Sequence, residues 1–150
     1  MKVQKDYEEL LELFSKNKVK YFIVGAYAVA FYARPRYTKD IDILIEPTAE
    51  NARKVIKSLR KFGFKKLNLA EEDFSRPGRI IQLGYEPVRI DIMTSIEGID
   101  FKKAWKNREI SNYGDQRVFF ISKADLIKNK RESNRKQDRL DLEILSQLRK

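Results

Sequence analysis

The chain has 150 residues, 42% of them hydrophobic, and its 32 basic and 22 acidic side chains give a formal net charge of +10. This length and composition predict a single globular domain with its own core. The sequence contains no cysteine and no histidine, which excludes disulfides, thiolate zinc sites, cysteine nucleophiles and histidine general bases. Any bound metal must therefore be held by oxygen ligands, which suit Mg²⁺ or Mn²⁺.

The excess of basic residues favours polyanionic partners such as nucleic acid or nucleotides, although a lysine-rich surface without such a role fits the charge equally well. The N-terminal segment mixes acidic and basic residues and does not resemble a signal peptide. No apolar run approaches the roughly 18 residues that a membrane-spanning helix needs. We therefore expect a cytoplasmic protein without a membrane partner.

The first elements of the chain are predicted to be a helix, a strand and a second helix. Apolar residues at helical spacing indicate a helix over 4–16. The apolar run 21–25 indicates a buried strand, and the alanine-rich run 26–33 a short buried helix. Gly25 and Ala26 fall at the strand-to-helix turn, where small residues let backbone N–H groups approach an anion.

The next strand carries acidic residues inside a run that should be buried. Residues 39–46 alternate, so that three isoleucines point one way and Asp40 and Asp42 point the other way. Thr48 is the expected N-cap of a helix over 49–61.

The rest of the chain is predicted to contain a strand at 64–69, a polar loop at 71–78, a hairpin of strands 79–85 and 88–94, a helix at 101–105, a strand at 117–122 and two helices between 123 and 148. This order indicates one mixed α/β (α+β) domain over residues 1–150. Its sheet contains antiparallel pairs and is flanked by helices, with a C-terminal helical segment at about 122–150.

Asp40 and Asp42 are candidate metal ligands. Residues two apart on a strand lie on the same face, roughly 6.5–7 Å apart. Asp91 lies in the middle of strand 88–94 and offers a third carboxylate if the two strands are neighbours. Three carboxylates on one surface would repel each other, and bound divalent ions of the kind that assist phosphoryl transfer would offset the repulsion.

Simpler explanations exist for the same residues. Asp40 and Asp42 could be charges that protect the edge of a sheet from aggregation. Asp91 could form a salt bridge with a neighbouring arginine or lysine. The aromatic residues around the first strand are more simply explained as core than as a platform for stacking bases.

The first half of the chain resembles the polymerase-β-type nucleotidyltransferase superfamily. The motif reads Val24-Gly25-Ala26, thirteen intervening residues and Asp40-Ile41-Asp42-Ile43, and the superfamily pattern is a hydrophobic residue, Gly, Gly or Ser, a gap of about a dozen residues and two acids separated by a hydrophobic residue. Asp91 matches the third acid of the pattern. Ala26 departs from it, because its methyl group permits backbone approach but cannot hydrogen-bond a phosphate.

A second block, residues 122–145, resembles the C-terminal helical segment of minimal nucleotidyltransferases from abortive-infection and toxin–antitoxin systems. The matching positions are Asp125, Lys130, Arg135, Asp138 and Asp141, and Gln137 replaces the usual lysine. The approach to the first aspartate, with Pro35, Arg36, Thr38 and Lys39, is also similar to this subgroup.

The resemblance implies transfer of a nucleoside monophosphate from an NTP to a hydroxyl, with Mg²⁺ or Mn²⁺ as cofactor. The implied catalytic and metal-binding residues are Asp40, Asp42 and Asp91, of which Asp91 would also activate the attacking hydroxyl. The implied nucleotide-binding residues are Gly25, Ala26, Arg36, Thr38, Lys130 and Arg135. The two small residues would contact the triphosphate through backbone N–H groups, while the basic residues would neutralise its charge.

Several alternatives stay open at this point. The acceptor is expected to be RNA, for example a tRNA end, or a protein. A small-molecule acceptor, as in antibiotic nucleotidyltransferases, is disfavoured by the short chain and the basic charge. A non-catalytic binder of nucleotide or nucleic acid, or one half of a toxin–antitoxin pair, also fits. Arg36, Lys130 and Arg135 could be solvated surface charges, and Asp138 could cap a helix or bridge to Arg135.

Overall fold

The computed structural model describes residues 3–33, 40–64, 68–85 and 88–147. Its elements are α1 (Lys5–Lys16), β1 (Tyr21–Val24), α2 (Gly25–Tyr32), β2 (Asp40–Ile45), α3 (Ala49–Phe62), α4 (Glu72–Ser75), β3 (Ile80–Tyr85), β4 (Val88–Met93), α5 (Phe101–Trp105), β5 (Glu109–Tyr113), β6 (Gln116–Phe120), α6 (Lys123–Ser133) and α7 (Lys136–Gln147). Within these described stretches, no helix has both the length and the apolar character needed to cross a membrane.

The six strands form one mixed sheet in the order β3-β4-β2-β1-β6-β5. The pairs β1–β2, β3–β4 and β5–β6 are antiparallel, while β2–β4 and β1–β6 are parallel. The predicted mixed sheet with antiparallel pairs and flanking helices is therefore confirmed. The strands that carry the aspartates lie inside the sheet, and β3 and β5 form its edges.

Strand β2 buries one face in the core. Ile41, Ile43 and Ile45 of β2 are fully buried, as is Ile23 of β1. Burying an isoleucine side chain contributes about 1.5–3 kcal/mol. This apolar packing holds the backbone from which Asp40 and Asp42 project to the opposite face.

Helix α3 begins and ends where its sequence predicts. The backbone N–H of Asn51 donates to Thr48 Oγ1 at 3.2 Å, which caps the first turn. Gly63 follows the last turn with a φ of 132°, in the region that favours glycine. The buried face includes Ala52, Val55 and Leu59.

Two predictions for residues 64–78 need correction. In the predicted strand 64–69, the described residues Phe64, Asn68 and Leu69 lie in no strand, and 65–67 lie outside the described residues. The predicted loop 71–78 contains the short helix α4, because the apolar side chain of Phe74 is fully buried. The hairpin of β3 and β4 is confirmed, although residues 86–87 at its turn are outside the described part.

Strand β5 was not predicted. Its residues are mostly exposed and its burial shows no clear alternation, since it is an edge strand. It pairs with β6 across a two-residue turn, Gly114-Asp115, with Tyr113 opposite Gln116. Gly114 has a φ of 62°, and this turn was the signal that could have predicted the hairpin.

Candidate active site

The predicted acids lie on two neighbouring strands in the middle of the sheet. Strands β2 and β4 pair with Asp42 opposite Asp91 and Asp40 opposite Arg89. Directly paired residues point to the same face, as do residues two apart along a strand. The three aspartates, which we call the acid cluster, therefore lie on one surface. Because β2 lies between β4 and β1, the alternative of a protected sheet edge is wrong.

Arg89 is a basic residue that contacts the acid cluster. Its Nε lies 3.2 Å from Asp91 Oδ1 and its Nη2 lies 3.2 Å from Asp91 Oδ2. The same Nε lies 3.6 Å from Asp40 Oδ2. The salt bridge that was an alternative explanation for Asp91 is thus present, as a two-pronged contact that engages both carboxylate oxygens.

Asp42 lies beside the two other acids of the cluster. Burial, followed by the negative charges of Asp91 and Asp40 and a hydrogen bond with Asp91, raises the pKa of Asp42 to about 7, while Lys130 acts in the opposite direction. A raised pKa means that the charged carboxylate is disfavoured by its environment. A cation bound beside Asp42 would stabilise the charged form.

The turn between β1 and α2 packs directly on Asp42. Gly25 begins α2 with a φ of 66°, and a Cβ added to it would lie 2.2 Å from Asp42 Oδ2. Only glycine combines this backbone conformation with so close an approach. The residue before the helix, Val24, supplies no side-chain cap to the first turn. The backbone N–H groups predicted to contact phosphate therefore begin beside an aspartate of the acid cluster.

A cavity of about 710 Å³ is lined by predicted site residues from both halves of the chain. Its walls include Gly25, Ala26, Asp42, Lys130 and Arg135, and its volume falls within the roughly 300–1,000 Å³ typical of small-ligand sites. Asp40 and Asp91 belong to the same face of the sheet through the register of β2 and β4. Arg36 and Thr38 lie outside the described residues, so their role stays a prediction.

Lys130 is buried rather than solvated. Its side chain is 8% exposed, and its Nζ lies 3.0 Å from Asp138 Oδ1 and 3.2 Å from Asp141 Oδ2. Asp138 and Asp141 are themselves buried. These three residues, which we call the buried ion cluster, connect α6 to α7. The alternative of a solvated helix end is wrong for Lys130, and a direct contact between its ammonium and phosphate stays a prediction.

Arg135 extends from the buried ion cluster toward solvent. Its side chain is 76% exposed, yet its Nε lies 2.9 Å from Asp138 Oδ2 and its backbone N–H donates to the same oxygen at 3.2 Å. Asp138 therefore caps the start of α7 and bridges to Arg135, as one alternative predicted. Burial alone would raise the pKa of Asp138, but hydrogen bonds from Ser133, Arg135 and Lys130 outweigh it and hold that pKa well below its usual range.

The remaining walls of the cavity come from residues that the sequence analysis did not single out. Asn129 Nδ2 donates to the carbonyl of Glu97 at 2.9 Å and ties the segment after β4 to α6. Ile80 is 63% exposed and, with Met93 and Ile96, lines the cavity. Of the residues that were missed, Arg89 carried a usable signal, because it lies two positions before Asp91 and hence on the same face of the strand.

The acid cluster consists of side chains that are chemically suited to bind a divalent cation. Among the residues that the structure describes, no set of three or more acidic side chains is arranged to hold a metal ion as it stands, and Arg89 contacts two of the three carboxylates. Carboxylate oxygens are nevertheless the ligands that Mg²⁺ prefers. The negative neighbours that raise the pKa of Asp42 are also what a divalent cation would neutralise. The metal role of the cluster stays a prediction.

Two solved structures share the fold across nearly their whole length. One is the lincosamide antibiotic adenylyltransferase LnuA in its lincomycin-bound form, with a TM-score of 0.58, 20% sequence identity and coverage of 97% of this chain and 98% of that one. Another is a Thermotoga maritima protein (TM1012) provisionally described as a nucleotidyltransferase, with a TM-score of 0.64, 15% identity and coverage of 99% and 97%. At these identities the similarity establishes the fold.

No curated protein matches the chain at a significant level. A protein family does match, over residues 1–148, and it is described as "Nucleotidyltransferase of unknown function (DUF6036)". The match spans both the strand pair that carries the acid cluster and the two C-terminal helices. The chain therefore belongs to this nucleotidyltransferase family.

Proposed function

We propose that the protein uses Mg²⁺ or Mn²⁺ to transfer a nucleoside monophosphate from an NTP to a hydroxyl group, with release of pyrophosphate. The observation that carries the proposal is the packing of the Gly25 turn on Asp42, where an added Cβ would lie 2.2 Å from the carboxylate. This packing sets backbone N–H groups for phosphate beside carboxylates for metal. Catalysis by such a site consists mainly of positioning and charge stabilisation.

Each member of the acid cluster has a proposed task. Asp40 and Asp42 would hold the divalent ion, and a bound ion would neutralise charge on the attacking and leaving oxygens. Asp91 would serve as a further ligand and accept the proton of the acceptor hydroxyl as its oxygen attacks the α-phosphorus. The bond from that phosphorus to the pyrophosphate oxygen then breaks.

The phosphate-binding residues would come from both halves of the chain. Backbone N–H groups at Gly25 and Ala26 would contact the triphosphate from the start of α2. Arg135 also lines the cavity and is exposed, and a guanidinium can contact two phosphate oxygens at once. Lys130 would contribute positive charge beside it, and Arg36 and Thr38 would contribute from the segment before Asp40.

The acceptor is proposed to be RNA, such as a tRNA end, or a protein. The net charge of +10 supports an acidic acceptor. A small-molecule acceptor is the second candidate, because the exposed Ile80 and its neighbours Met93 and Ile96 give the cavity an apolar wall. Chain length no longer argues against it, since the antibiotic adenylyltransferase LnuA is covered to 98% by this chain.

The resemblance to toxin–antitoxin nucleotidyltransferases supports a partner protein from such a pair. A cytoplasmic location stays part of the proposal. Ala26 is the feature that most favours the alternative of a non-catalytic nucleotide binder, since it lacks a hydroxyl for phosphate. Calorimetry with ATP distinguishes the metal-dependent enzyme from the non-catalytic nucleotide binder. Binding that needs neither Mg²⁺ nor the two carboxylates of Asp40 and Asp42 would support the binder.

The proposal is tested by incubating the protein with Mg²⁺, each of the four labelled NTPs and one acceptor class at a time: total RNA, total protein or a lincosamide. Transfer of label is expected with at least one combination, and Asp42→Asn is expected to abolish it. Asp73→Asn is the matched control, because Asp73 is an exposed aspartate in a 4.0 Å ion pair with Arg79. Absence of transfer to every acceptor, with Asp42→Asn indistinguishable from wild type, would refute the proposal.

A further inference from the structure

Arg89 contacts two members of the acid cluster, and the mechanism proposed above has no role for it. The guanidinium engages both oxygens of Asp91 at 3.2 Å and also approaches Asp40 at 3.6 Å. The contact follows from the fold, because the parallel pairing of β2 and β4 sets Arg89 opposite Asp40. The side chain is 33% exposed, so solvent lies on one side of it.

The charges of the site favour one divalent ion while Arg89 is in place. Among the described residues, the acid cluster has three carboxylates and its contact residue Arg89 has one guanidinium, which gives a formal charge of −2 when every acid is ionised. The neighbouring buried ion cluster and Arg135 contribute two acids and two basic residues and are balanced. One divalent ion would neutralise the charge of −2, whereas two would leave +2. Without Arg89 the charge would be −3, and two ions would leave only +1.

The contact between Arg89 and Asp91 gives a second reason to expect a single ion. A carboxylate whose two oxygens both accept from a guanidinium has its best lone pairs occupied. A metal ion on Asp91 would also stand beside a fixed positive charge. Asp42 differs, because no ion pair joins it to a basic side chain among the described residues, whereas Asp91 is paired with Arg89.

We propose that Arg89 and a divalent ion compete for Asp91. With Arg89 in place the acid cluster takes one ion, at Asp40 and Asp42, and a second ion binds only when the guanidinium leaves Asp91. The proposal rests on the metal role of the three aspartates given above. Arg89 is thus a positioning residue that decides how many ions the cluster holds.

The test counts Mn²⁺ ions bound by the nucleotide-free protein, by electron paramagnetic resonance and by calorimetry. Wild type is expected to bind one ion, and Arg89→Gln is expected to bind two, with the first at least about tenfold tighter because a positive charge at ion-pair distance is gone. The double variant Arg89→Gln, Asp91→Asn should return to one ion. Asp91→Asn alone should also bind one.

The control is Arg53→Gln, because Arg53 is an arginine in a 3.3 Å pair with a single exposed acid, Glu71. It should bind Mn²⁺ as wild type does. Thermal melts followed by circular dichroism report folding. If Arg89→Gln does not fold, Arg89→Lys replaces it, since lysine cannot engage both oxygens of Asp91, and this variant is expected to bind Mn²⁺ more tightly than wild type.

Three results would overturn the proposal. Equal Mn²⁺ stoichiometry and affinity in wild type and Arg89→Gln would show that Arg89 and the ion do not compete for Asp91, and would leave the metal role of the aspartates intact. Binding of two Mn²⁺ ions by wild type would lead to the same conclusion. Absence of Mn²⁺ binding in every variant would remove the metal dependence of the proposed function as well, so the two failures are distinguishable.

Discussion

Two groups of charged residues beside one cavity are built differently. In the acid cluster the guanidinium of Arg89 contacts Asp40 and Asp91, and among the described residues no ion pair joins Asp42 to a basic side chain. In the buried ion cluster the ammonium of Lys130 is held between Asp138 and Asp141, and Arg135 adds a second positive charge. The first group has an excess of negative charge that a ligand could neutralise, whereas the second is internally balanced.

This difference separates two uses of ionisable residues. A buried and balanced ion pair connects elements and sets their relative position, and removing one partner leaves an unpaired buried charge. An unbalanced group on a sheet face beside a cavity keeps its acids available for a cation. The buried ion cluster is therefore expected to govern stability, and the acid cluster to govern ligand binding and chemistry.

The largest expected effect on stability is that of Lys130→Met. It leaves Asp138 and Asp141 buried without their shared ammonium, and breaking a buried ion pair on one side costs about 3–5 kcal/mol. Urea unfolding followed by circular dichroism measures the change. A loss below about 1 kcal/mol would mean that the cluster does not connect α6 to α7 in the way that its geometry suggests.

Gly25→Ala is expected to have the next largest effect on stability. Its φ of 66° strains any other residue, and the new Cβ would lie 2.2 Å from Asp42 Oδ2, so about 1–3 kcal/mol of stability should be lost. Gly78→Ala is the matched control, because Gly78 has a φ of 80° but nothing within 4 Å of the added atom. Equal losses in the two variants would show that the contact with Asp42 adds nothing beyond backbone strain.

Acid should selectively weaken the buried ion cluster. Because the pKa of Asp138 is held below its usual range in the folded state, its contribution is present at neutral pH and is lost as the pH falls below the ordinary aspartate pKa of about 3.9. The stability difference between wild type and Asp138→Asn should therefore be largest near pH 7 and shrink below about pH 4. Urea unfolding over this range measures it. A difference independent of pH would contradict the account.

The smallest expected effect on stability is that of Arg135→Ala. Its side chain is 76% exposed, so its pairing with Asp138 should contribute only about 0.2–1 kcal/mol. If Arg135 contacts phosphate as proposed, KM for the NTP should rise while kcat changes little. An unchanged KM would assign Arg135 to the helix cap alone.

The fold and half of the site followed from local sequence patterns. Thr48 and Gly63 mark the ends of α3 because capping depends on nearby residues. The alternation of Asp40 and Asp42 with isoleucines set their shared face, and β2 and β4 proved to be neighbours. These features depend on residues close in sequence or on a single strand pairing.

What could not be predicted depends on long-range packing. Lysine is seldom buried, so nothing in the sequence near Lys130 indicated that two aspartates from α7 enclose it. The contact of Arg89 with Asp40 required the parallel register of β2 and β4. Strand β5 has no apolar alternation because it lies at an exposed edge.

We infer that the acid cluster carries the chemistry and that the fold does not need its full charge. Nucleotide transfer from labelled NTPs and thermal stability should be measured together in wild type, Asp42→Asn and the surface control Asp73→Asn. Asp42→Asn is expected to lose transfer by at least about 10³-fold and to keep the wild-type melting temperature or exceed it, since one of three adjacent negative charges is removed. Transfer by Asp42→Asn at the wild-type rate would show that the acid cluster does not carry the chemistry.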